Sequence, residues 1–201
     1  MRRIFERLAA SFVFLTLASV AQAQTYTASL AGANENPAVS SPGTGSGTVV
    51  VNAPAHTLRV ITTFSGLTSN TTASHIHCCV VPPGNAGVAT TTPSFVGFPL
   101  GVTSGSMDQT YDMTLAGTWN PAFVTANGGT PAGAEAALIA GLAAGQAYLN
   151  IHTTTNPGGE LRGFLPATPS VPTLPTWMLG VCALLMIAGA YIALRRRMLT
   201  A

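Results

Sequence analysis

The 201-residue chain contains no lysine, and charged side chains of every kind make up only 7% of it. Its eight cationic side chains are all arginine: three in Met1–Arg7, three in Arg195–Arg197, and only Arg59 and Arg162 between. Against those two stand Glu35, Asp108, Asp112, Glu135 and Glu160, so the middle of the chain is net −3 although the whole is +2. Nucleic-acid binding is excluded, because a phosphate backbone is held by clustered positive charge. Cysteine is also scarce, with three in all, which rules out a small scaffold stapled by several disulfides. No nucleophile elbow, P-loop or dinucleotide fingerprint is present. Gly43-Thr44-Gly45-Ser46-Gly47 is glycine-rich but lacks the lysine that a phosphate loop uses.

What is present begins with the two ends. Met1–Arg7 is basic, Leu8–Val20 is apolar, and Ala21-Gln22-Ala23 is a small-x-small site. This reads as a signal peptide over residues 1–23, cut between Ala23 and Gln24, with an uncleaved N-terminal anchor as the alternative. At the other end, residues 177–194 are uncharged and mostly apolar, Trp177 and Tyr191 are placed as interfacial aromatics, and Arg195-Arg196-Arg197 follows. The expectation is a single transmembrane helix with a basic cytoplasmic tail, residues 195–201, and everything before Trp177 outside. Pro166, Pro169, Pro172 and Pro175 make residues 167–176 a stiff linker to that span.

Residues 24–166 are long enough for one domain with its own core. Tyr26–Leu30, Thr48–Asn52, Thr57–Phe64, Ser74–His77, Ser94–Phe98, Gln109–Leu115, Ala147–Thr154 and Glu160–Leu165 read as short strands between Gly/Pro turns. Asn156-Pro157-Gly158-Gly159 predicts a tight hairpin turn. Thr130-Pro131 reads as a cap followed by one helix over Ala132–Ala144. The predicted class is all-β, an antiparallel β-sandwich or barrel with one short helix.

Three of the four histidines lie in two short stretches, Ser74-His75-Ile76-His77 and Tyr148-Leu149-Asn150-Ile151-His152. Alternation sends His75 and His77 to one face of a strand, and Asn150 and His152 to one face of another. If those strands pair, His75, His77 and His152 form a three-imidazole set for copper or zinc, with Glu160 as a further carboxylate ligand. The competing reading has the histidines hydrogen-bonding loops, or the Glu160/Arg162 pair, to secure a sheet edge. His56 reads as a solvated turn residue. Cys78 and Cys79, in an oxidising compartment, suit a vicinal or intermolecular disulfide better than metal ligation.

Leu30-Ala31-Gly32-Ala33-Asn34-Glu35-Asn36-Pro37, Ala73–His77, and Tyr148–Thr153 followed by Pro157-Gly158-Gly159-Glu160-Leu161-Arg162-Gly163 resemble the chordin-type (CHRD) domain over about Thr25–Leu165. The resemblance implies an extracytoplasmic all-β domain without established catalysis. Cys78-Cys79 stands where a Gly-rich turn is more usual. Val171-Pro172-Thr173-Leu174-Pro175-Thr176-Trp177, with the apolar run and arginines behind it, resembles an IPTL-CTERM sorting signal, with Val171 in place of the usual Ile and Pro175 where Ser is common. That implies a Gram-negative exporter and an exosortase-type processing protease; a plain single-pass anchor is the alternative. Together the expectations describe an exported protein with a periplasmic domain at the inner membrane, either retained there or cleaved and delivered to the surface. It would serve as a non-enzymatic binding or structural module for an extracellular ligand. The alternative is a metal-binding periplasmic protein or enzyme built on His75, His77 and His152.

Overall fold

The computed structural model of the chain describes residues 23–167 and 176–200. They belong to two compact units that divide between Thr168 and Pro169. The expected signal peptide, apart from Ala23, most of the linker, and the sorting motif Val171, Pro172, Thr173 and Leu174 lie outside the described residues.

In the first unit seven strands form one antiparallel sheet. They are β1 (Gln24–Ala31), β2 (Thr44–Asn52), β3 (Thr57–Ser65), β4 (Thr71–His77), β5 (Gly105–Asp112), β6 (Tyr148–Thr153) and β7 (Leu161–Phe164), in the order β4-β6-β7-β1-β2-β3-β5. The expectation of an antiparallel, mostly β fold of sandwich or barrel type is met in its barrel-like form: one sheet curled into a half-barrel, with short helices beside it. Curling brings β6 over β2: a Cβ added to Gly47 would lie 2.5 Å from Leu149 Cδ2. Tyr26, Leu30, Val49, Leu58, Val60, Ile76, Leu149, Ile151 and Leu161 share one buried cluster with Leu138 and Leu142 of helix α2 (Pro131–Ala143). That helix supplies apolar cover that a sandwich would take from a second sheet. Each fully buried leucine contributes roughly 1.5–3 kcal/mol.

The expected cap is present: Thr130 Oγ1 accepts a hydrogen bond from the Gly133 backbone N–H at 3.1 Å, with Pro131 in the first turn. A second short helix, α1 (Pro121–Ala126), was not expected. Asn120 caps it through a 2.9 Å bond from Ala122 N–H, so Asn-Pro here repeats the Thr-Pro signal at the start of α2.

Ser94–Phe98 is not a strand. It belongs to a segment that lies along the free edge of β4, where Ala89 N–H donates to Ile76 O at 2.9 Å, Phe95 N–H to Ser74 O at 3.1 Å and Cys78 N–H to Gly87 O at 3.2 Å. The edge of β4 is thereby covered.

The second unit contains one helix, α3 (Thr176–Thr200). Leu184, Leu185, Met186 and Ile187 on it are exposed. Among the described residues, no helix is long and apolar enough to cross a membrane.

Candidate metal centre

β4 and β6 are hydrogen-bonded neighbours, with His75 opposite Asn150, Ala73 opposite His152 and His77 opposite Tyr148. β7 lies on the other side of β6, with Arg162 opposite Asn150 and Phe164 opposite Tyr148. One face of this end of the sheet therefore carries His75, His77, His152, Asn150, Tyr148, Arg162 and Phe164, while Ile76, Leu149 and Ile151 point into the core. Every residue of β6 is buried, so this polar face is itself roofed by loops.

The three imidazoles converge. Ring centroids are 5.2 Å apart for His75–His152, 5.7 Å for His77–His152 and 5.8 Å for His75–His77. One ring nitrogen from each lies within 4.8 Å of the others. Each ring is also tied by its other nitrogen to a backbone carbonyl: His75 Nε2 to Pro93 O at 2.8 Å, His77 Nδ1 to Ala86 O at 2.9 Å, and His152 Nδ1 to Pro157 O at 3.0 Å. A carbonyl only accepts, so each tied nitrogen carries the proton and the opposite nitrogen keeps its lone pair. Those opposite atoms, His75 Nδ1, His77 Nε2 and His152 Nε2, are buried and have no hydrogen-bond partner. Three bare, buried imidazole nitrogens on rings this close together are an arrangement that a cation can resolve.

Electrostatics keep the rings neutral. Burial pushes His75 down to about 4, helped by the charge that His152 would carry. Burial does the same to His77, also to about 4, with His152, His75 and the Arg162 guanidinium adding to it. Burial lowers His152 as well. An ion binding these rings at neutral pH would displace no proton from them. Tetrahedral zinc sites, with Zn–N of about 2.0 Å, bring donor nitrogens to roughly 3.3 Å apart, so the rings would close inward on an ion.

Surrounding residues hold the loops. Tyr148 stacks on His77 with centroids 4.8 Å apart and planes at 6°. Its hydroxyl bonds Ala86, whose carbonyl secures His77. The Arg162 guanidinium carbon lies 3.7 Å above the Tyr148 ring. Arg162 is fully buried and donates to Asn85 Oδ1 at 2.6 Å and to the carbonyls of Pro83 and Gly84. It thus clamps the loop that leads into Ala86.

Two expectations are corrected. Glu160 does not join the histidines: its carboxylate accepts from Ser41 Oγ at 2.7 Å, Thr68 N–H at 2.7 Å, Thr68 Oγ1 at 2.8 Å and Thr153 Oγ1 at 2.6 Å. Burial would raise its pKa, but these four bonds outweigh burial and hold it at about 2. Nor do Glu160 and Arg162 pair, because each is committed to different loops. His56 is the solvent-exposed turn residue that was expected, and it also has a partner. It sits in the left-handed region at φ 52° and places Nδ1 3.0 Å from the Glu135 carboxylate of α2.

Cys78 and Cys79 are bonded to each other, directly after His77. Both sulfurs press on Gly141 of α2, where an added Cβ would overlap them. Sequence reasoning passed over Glu35, which lies beside Asn150 and whose carboxyl burial pushes up to about 7 against the lowering effects of Arg162 and Asn150. The Glu35-Asn36-Pro37 motif and the shared face of Asn150 and His152 were the available signals.

Comparison with curated proteins and with solved structures finds no match to either. Residues 26–165 match the CHRD domain, a span that contains every residue of the three-histidine cluster and of the loops that hold it. The chain belongs to the CHRD-domain family.

Proposed function

We propose that this is an exported CHRD module that binds a transition metal ion, copper or zinc, through His75, His77 and His152, as a non-enzymatic binding component of the cell surface or matrix. The observation that carries the reading is the division of labour on each ring: one nitrogen is fixed by a carbonyl and the other is bare and buried, on three rings that each bring a nitrogen within 4.8 Å of the others. A set serving only to secure the sheet edge would leave no lone pairs stranded at a cost of about 1–3 kcal/mol each. The test is metal analysis and zinc or copper titration of residues 24–167. One ion per chain is expected, abolished by H75A/H152A. A folded wild-type domain that takes up no ion sinks the reading.

Attachment is proposed from the sequence of the C-terminal region. The uncharged, mostly apolar run of residues 177–194 followed by three arginines is the sequence feature that supports a single membrane span. The Val171–Leu174 motif supports removal by an exosortase-type protease. Mass spectrometry of mature protein tests this: peptides holding Arg195–Arg197 at full stoichiometry would leave only a plain anchor.

A further inference from the structure

We propose that Asn150 completes the centre, its side-chain Oδ1 accepting a hydrogen bond from a water molecule on the fourth position of an ion held by His75, His77 and His152. The inference rests on the metal-binding reading above. Asn150 lies on the histidine face, opposite His75 on β4 and two residues from His152 on its own strand. It is 2% exposed, yet its Oδ1 has no hydrogen-bond partner.

The other end of the amide lies toward the Glu35 carboxyl, whose pKa Asn150 lowers, the effect of an NH2 group turned to it. Only the NH2 group can donate, so Glu35 decides which way the amide faces and leaves the oxygen free. The buried positive charge of Arg162 acts on the same carboxyl and favours its ionised form. An added Cβ at Gly159 would be 2.5 Å from Glu35 Oε1 and 2.6 Å from Asn150 Oδ1, so the glycine leaves room for this pair.

Three imidazoles leave a tetrahedral ion one ligand short, and the usual fourth ligand is water. That water has protons to donate. The second nitrogens of all three rings are already spent on carbonyls, whereas Asn150 Oδ1 is a bare, buried acceptor on the same face. A purely structural asparagine would have both ends of its amide satisfied, since a stranded buried oxygen costs about 1–3 kcal/mol. The centre is therefore a His₃–water site with an exchangeable position, able to take a small anion in place of the water.

The experiment loads the full chain, purified in detergent, with Co(II) as an optical stand-in. Wild type should bind one ion with four-coordinate visible bands that shift on adding azide. N150A should still bind one ion, but about 10- to 100-fold more weakly, the range for loss of a partner outside the ligands, with an altered band envelope. E35A, which leaves Asn150 in place but frees its amide to turn, should move affinity in the same direction. A merely structural Asn150 would lower the melting temperature of the metal-free protein and leave the Co(II) bands unmoved. If wild type binds Co(II) and both variants match it in affinity and spectrum, the role of Asn150 is overturned while the three-histidine site stands. If wild type binds neither Co(II) nor Zn(II), the site and this inference fall together.

Discussion

Replacing Glu160 with glutamine removes a charge that four donors from three separate segments converge upon. Ser41 comes from the loop before β2, Thr68 from the β3–β4 connection and Thr153 from the end of β6. The carboxyl is held at about 2, against an ordinary value of 4.5. At about 1.4 kcal/mol per pH unit, that gap corresponds to roughly 3 kcal/mol of stability carried by the ionised form. The folded pKa is the lower one, so the contribution is complete above pH 4.5 and is lost as pH falls toward 2. Glutamine resembles the protonated acid, with one acceptor oxygen where the carboxylate had two. E160Q should therefore be about 3 kcal/mol less stable than wild type at pH 7, or about 10 °C in melting temperature. The gap should narrow below pH 4.5 and nearly vanish at pH 2. Urea unfolding of residues 24–167 at a series of pH values measures it, and histidine titration affects both proteins alike and cancels in the difference. A gap that stays constant from pH 7 to 2, or one below 1 kcal/mol at pH 7, would refute the argument.

Other perturbations separate the remaining contributions. In metal-free protein His75 and His77 are held at about 4, below the ordinary 6.5, and burial lowers His152 as well. The unfolded chain then takes up protons that the folded one refuses, so stability should fall as pH drops from 6.5 to 4, and urea midpoints of H75L/H77L should show a flatter slope there. G141A forces a methyl against the Cys78 and Cys79 sulfurs and should cost about 1–3 kcal/mol; a double-mutant cycle should find most of that cost gone in the C78A/C79A background. R162M leaves Asn85 and two loop carbonyls without their donor and should cost about 3 kcal/mol, with faster protease cleavage near Pro83–Asn85 as the local readout. H56A removes a pair whose histidine is half exposed and should cost less than 1 kcal/mol by thermal melting.

Much of the strand content was legible because period-2 alternation, Gly/Pro turns and β-branched residues agree along β1, β3, β4 and β6. The same alternation placed His75 with His77 and Asn150 with His152. Ser94–Phe98 misled because a segment that follows a strand edge through a few hydrogen bonds has strand-like residues without a strand's ladder. Glu160 misled for a different reason. A carboxylate near histidines in sequence suggests a ligand, but its donors, Ser41 and Thr68, are about a hundred residues away, and no local pattern announces them.

By itself the sequence determined composition-level facts and local geometry: no basic surface for nucleic acid, a capped helix beginning at Pro131, and histidines on single strand faces. These follow from charge and from the periodicity of the backbone, which neighbouring residues settle among themselves. Tertiary structure decided that the strands make one curled sheet, since an alternating strand pattern fits one layer or two equally well. It also decided that β4 and β6 are neighbours, which unites His152 with His75 and His77. Carbonyls from Ala86, Pro93 and Pro157 then select the ring nitrogen left bare. Backbone carbonyls carry no sequence signature, so that final step existed only once the loops had folded over the sheet.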